Sequence, residues 1–146
     1  MTKKSLDSQR KEFAMANVKY LSPEWVEEAR KRLNEQLSPE KMNRMTSSMT
    51  NIYQNTPDGT DKYLLVALED GVITKFEVGE GEPPKAEFKI IADYETFAKI
   101  SRGELGAVKA LTGRKISLRG HMAKALRLAP MVDKLNKVLA TIPADY

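Results

Sequence analysis

An Asp-Gly pair at positions 70 and 71, set between two alternating apolar runs, constrains this chain more than any other feature. Tyr63–Glu69 precedes it and Val72–Val78 follows. Two turn residues that tolerate positive φ give a turn whose twist matches that of paired strands, so a tight antiparallel hairpin is predicted. Counting outward from the turn places Leu65 opposite Phe76 and Tyr63 opposite Val78, all on one face. Leu64, Val66 and Leu68 then point to the other face. A strand apolar on both sides belongs inside a sheet rather than at its edge.

The strand pattern extends beyond the hairpin. Lys85–Ala92 alternates, with Ala86, Phe88, Ile90 and Ala92 inward and Lys85, Glu87 and Lys89 outward. Ser47–Asn55 is ambiguous, its Thr, Ile and Tyr content mildly favouring a strand, and Pro57-Asp58-Gly59 reads as a turn. Upstream, Ser22 and Pro23 form a helix start, and Trp25, Ala29, Leu33 and Leu37 make one apolar stripe. After Asp93 the period becomes helical. Asp93 caps a helix carrying Tyr94, Phe97, Ala98 and Ile100, with Gly103 at its end. Leu105, Val108 and Leu111 mark a second helix closed by Gly113. Arg114–Arg119 alternates again, with Ile116 and Leu118 inward. A short helix with Met122, Ala125 and Leu126 follows Gly120, and Pro130 is expected to open a last helix bearing Met131, Leu135, Val138 and Ile142. Runs of strands and then helices define an α+β class. At 146 residues the chain suits a single domain, expected over residues 22–146, with residues 1–21 as an N-terminal arm or loosely docked helix.

Catalytic chemistry has little to work with. There is no Cys and one His, which removes thiolate nucleophiles, zinc-thiolate sites and most acyl-transfer dyads. His121 reads as an ordinary polar residue at a helix start. Gly79-Glu80-Gly81 runs into Pro83-Pro84 and opens no helix, so it is no dinucleotide loop. Asp58 and Asp61 lack the later ligands of a calcium loop. No enzyme activity, cofactor or metal is expected. Aromatics do not interleave with basic residues, so nucleic acid is not an expected partner. Without Cys, an apolar leader or a membrane span, the expected location is cytoplasmic.

Charge and greasiness are more informative. Residues 54–92 carry 4 basic and 8 acidic side chains, whereas residues 93–146 carry 10 and 5. That basic third suits an anionic surface, or simply solvates helix faces. The four helical segments after Asp93 supply more apolar surface than one small sheet face requires. They form either a filled core or a lid over a cavity; Met122 and Met131 tilt slightly toward a cavity, because flexible thioethers tolerate varied ligand shapes, although Met is also ordinary gap-filler.

The stretch Phe97–Leu128 resembles the sterol carrier protein 2 family. It shows an aromatic residue before a short helix ending in Gly103, a small-residue helix, a strand bounded by Gly113 and Gly120, and a short apolar helix. The glycine-turned hairpin at Asp70-Gly71 fits the same family, while His121 stands where its members usually have an acidic residue. The resemblance spans roughly residues 45–140. It implies an about five-stranded, mostly antiparallel sheet with packed helices enclosing an apolar cavity for a fatty acyl, acyl-CoA, phospholipid or sterol-like ligand. The cavity walls it implies come from three regions: Phe76, Phe88 and Ile90 on strands; Phe97, Ile100, Val108 and Leu111 on the middle helices; and Met122, Leu126, Met131, Val132 and Leu135 at the C-terminal end. Lys99, Arg102, Lys124 and Arg127 are the candidates to meet a headgroup or an anionic membrane. The alternative on the same fold is an accessory module with a filled interior that recognises a protein partner.

Overall fold

A computed structural model describes residues 18–146. Residues 1–17, most of the expected arm, lie outside them. The remainder of that arm belongs to the core instead. Val18–Lys19 (β1) pairs in parallel with Ala144–Asp145 (β7), and Tyr20 and Leu21 are buried.

Pro23–Gln36 (α1) forms as its sequence dictates. The Ser22 hydroxyl accepts from the Trp25 amide at 3.2 Å, and Trp25, Ala29 and Leu33 are fully buried. The main sheet comprises Ser47–Gln54 (β2), Lys62–Glu69 (β3), Val72–Glu80 (β4), Phe88–Asp93 (β5) and Ser117–Arg119 (β6), in the order β4-β3-β2-β5-β6. Within this sheet, among the described residues, the β2–β5 pair alone is parallel. The ambiguous segment is thus the central strand, and the third alternating run begins at Phe88 rather than Lys85. Asn55, at φ 53°, ends β2 and donates to Asp93 Oδ1 at 2.9 Å, tying the ends of the parallel pair together.

The hairpin turn is as expected, with Asp70 and Gly71 both at positive φ. The register is not. Leu68 pairs with Ile73, but Ala67 pairs with Lys75, so Thr74 is an extra residue in β4. This bulge moves the rest of the strand by one place. Phe76 therefore faces Val66, and Val78 faces Leu64, rather than Leu65 and Tyr63. All four join the face that the helices cover. Arg30 of α1 donates to the outward carbonyl of Phe76 through Nε and Nη2, at 3.0 and 2.7 Å, which blunts the edge strand. On the opposite sheet face, the loop after β4 crosses back to β5, and the buried Thr50 donates to the Pro84 carbonyl.

Tyr94–Ser101 (α2) and Ala107–Thr112 (α3) match the expected helices. The last element does not. Met122–Leu139 (α4) is one continuous helix with Pro130 inside it. The proline lies on the exposed side, where the carbonyl that its missing N–H would have bonded can turn toward water. Burial of Ala125, Ala129, Met131 and Leu135 on the inner side keeps the two halves in one rod.

Candidate functional site

Two rows of side chains cross the helix-facing side of the sheet. One is Phe76–Val66–Met49–Phe88; the next is Val78–Leu64–Asn51–Ile90–Leu118. They follow from strand alternation once the Thr74 bulge is included. Helices α2, α3 and α4 lie over these rows, leaving two apolar lobes that share Met49, Ile90, Ala107, Ile116 and Val132. The first, of about 70 Å³, reaches Asn51, Tyr53, Phe97, Ser101, Leu135 and Asn136. The second, of about 50 Å³, reaches Phe88, Leu111, Leu118, Ala125 and Leu128. Each is well below the ~150 Å³ of an apolar cavity that takes up benzene. Neither lobe as it stands has room for a long acyl chain.

No charged side chain lines either lobe. The polar end of the first is neutral. Tyr20 Oη lies 2.7 Å from Ser101 Oγ and 3.1 Å from Tyr53 Oη, within an aromatic cluster that includes Trp25, Tyr94 and Tyr146. Desolvation pushes the Tyr20 and Tyr53 hydroxyls well above the usual tyrosine range, so both remain protonated at neutral pH.

Of the wall residues expected from sequence, Phe76, Phe88, Ile90, Phe97, Ile100, Leu111, Val132 and Leu135 line the lobes. Four do not. Val108, Met122 and Leu126 are exposed, at 38, 48 and 41%. Met131 is buried, but its sulfur accepts from Asn43 Nδ2 at 3.3 Å, away from the lobes. A one-sided helix pattern alone turns the first three inward; unbroken continuation through Pro130 sets which side of α4 meets the sheet. Reading outward from sequence misses Met49, Asn51 and Tyr53, because the ambiguous β2 segment offers no clear alternation. Among the basic candidates, Arg102 is held by Glu95 and Glu104 and stacks over Tyr146 at 5.0 Å. Lys124 pairs with Glu87 at 2.5 Å, an interaction that lowers the Glu87 carboxyl below its usual range. Lys99 and Arg127 are exposed.

The family model of the SCP-2 sterol transfer family matches residues 26–133. The chain belongs to this family. Sterol carrier protein 2 in crystal form is similar at TM-score 0.75 and 22% identity, covering 85% of this chain and 99% of its own. A conserved hypothetical protein from Thermus thermophilus is similar at TM-score 0.72 and 21% identity, covering 87% and 92%. Palmitated sterol carrier protein 2-like 2 from Aedes aegypti reaches TM-score 0.54 at 21% identity, covering 76% and 94%. At such identities these structures establish the fold. No curated protein matches the chain. Membership in the SCP-2 sterol transfer family supports lipid binding or transfer as the general function. Among the described residues, no helix is long and apolar enough to cross a membrane.

Proposed function

We propose that this protein binds and transfers an apolar lipid-like molecule, without catalysis, in the space between the sheet and helices α2 to α4. The observation that carries this reading is the uncharged, mostly apolar lining of both lobes under an SCP-2 fold. Each CH₂ taken from water contributes about 0.8 kcal/mol, so a ten-carbon chain gains roughly 8 kcal/mol before ordering costs. That range gives reversible holding, which a carrier needs.

The surface beside the lobes suits an anionic membrane. From Leu105 to Val132 the chain carries Lys109, Arg114, Lys115, Arg119, Lys124 and Arg127 and no acidic residue. The exposed Val108, Met122 and Leu126 belong to the same two helices that wall the lobes. Basic side chains around exposed apolar ones match the electrostatic and insertion terms of interfacial binding.

The narrowness of the lobes favours one second reading, a module with a filled core that recognises another protein. Native mass spectrometry of the purified protein, followed by organic extraction, separates the two. A bound apolar adduct of defined mass supports the carrier. A bare mass that resists loading with fatty acids, acyl-CoA and sterols overturns it in favour of the module.

A further inference from the structure

Asn51 is the polar exception in an apolar row. It occupies the central strand, with Leu64 beside it on one side and Ile90 on the other, and Val78 and Leu118 completing the row. Such a position is normally filled by an aliphatic side chain, because an enclosed polar atom costs free energy unless it is paired; Asn51 is half-buried as a residue, but its Oδ1 is enclosed. Here the pairing is incomplete. Among the described residues, two buried side-chain polar atoms lack a partner, Trp25 Nε1 and Asn51 Oδ1. Trp25 Nε1 is enclosed in the aromatic cluster and reaches neither lobe, whereas Asn51 lines the larger one. Its carboxamide oxygen is the acceptor left without a partner.

The surroundings restrict what that acceptor can take. Ser101 and Asn136 are the other non-aromatic polar groups on the lobe, and both are neutral. A carboxylate or phosphate placed there would lose its hydration with no cation to replace it. An uncharged hydroxyl would instead donate to Asn51 Oδ1 and satisfy an acceptor that otherwise stays unpaired.

We propose that Asn51 is the polar recognition site of the cavity, selecting an uncharged lipid that carries a hydrogen-bond donor and holding it with its polar end inward. This rests on the carrier reading and narrows it, since ligands whose only polar group is an anion must keep that group outside. The basic residues on the surface then serve docking rather than headgroup binding.

The test compares decan-1-ol, its isomer methyl nonyl ether, and decanoate by titration calorimetry on the full chain and on Asn51→Leu. The two isomers have equal heavy atoms and differ in the donor. In the wild type decan-1-ol is expected to bind about tenfold more tightly than the ether. In Asn51→Leu that difference is expected to vanish. Equal affinities of alcohol and ether in the wild type would overturn the Asn51 site while leaving the carrier intact. Decanoate as the tightest of the three, unaffected by Asn51→Leu, would overturn it also. Failure of all three to bind would overturn the carrier reading itself. Should Asn51→Leu not fold, the wild-type alcohol-to-ether ratio alone decides.

Discussion

Tyr20 shows how one side chain couples the chain's ends to the ligand space. Its hydroxyl joins Ser101 and Tyr53 across 81 and 33 residues of sequence, and its ring packs on Trp25 and Tyr146. Tyr20→Phe leaves two buried hydroxyls each short of a partner, and is expected to cost about 1–3 kcal/mol by denaturant unfolding. The pH dependence has a defined sign. Burial raises the Tyr20 and Tyr53 hydroxyls in the folded chain, while the unfolded chain ionises near its ordinary value of 10.0. Stability from these groups is therefore complete below about pH 10 and is lost as pH rises through the folded values. Tyr20→Phe should show a shallower alkaline decline than the wild type; identical slopes would exclude Tyr20 as a source. A second residue-scale expectation concerns Gly120, at φ 139°. A Cβ there would lie 2.6 Å from Phe88 Cδ1 and 3.1 Å from the Glu87 carbonyl. Gly120→Ala is expected to lose about 1–3 kcal/mol, read as a lowered thermal midpoint, because both the backbone and a cavity wall must shift. Gly120 is legible in sequence as a strand boundary; its contact with Phe88 is not, because that contact joins β6 to β5.

At the scale of elements, local signals place most helices and strands correctly. The α1 cap and the type of turn at Asp70-Gly71 are decided by a few adjacent residues, whereas the first amide of α3, Ala107, donates to Asp133 of α4. Two departures change which residues face the lobes. Thr74 adds a bulge that local alternation does not reveal, and Pro130 sits within α4 because burial on the inner side offsets a missing hydrogen bond. The proline divides the helix between wall residues Ala129 and Val132. Pro130→Ala is expected to raise stability, by up to about 3 kcal/mol, and to slow ligand uptake. Stopped-flow loading with a fluorescent fatty acid checks this; stabilisation with unchanged uptake would show that α4 moves as a rigid body.

For the whole molecule, the basic run from Leu105 to Val132 also supplies most of the second lobe's wall, so the fold turns one stretch of sequence into a surface and part of a wall at once. Transfer of ligand from anionic vesicles is expected to exceed transfer from neutral ones and to fall with salt, as the screening length shrinks from about 30 Å at 0.01 M toward about 8 Å at 0.15 M. The double variant Arg119→Glu, Arg127→Glu should abolish that salt dependence while leaving thermal stability near the wild type. Salt-independent transfer by the wild type would remove the membrane from the mechanism. The α+β class, the hairpin turn, the start of α1 and the basic C-terminal third are properties of residues close in sequence, where propensity, periodicity and charge act locally, so they are legible without the fold. The register beyond Thr74, the parallel β2–β5 pair, the inner face of α4 and the isolation of Asn51 among apolar neighbours depend on segments meeting across the fold. Only the tertiary structure decided those, because a side chain's surroundings are set by the strands and helices packed against it.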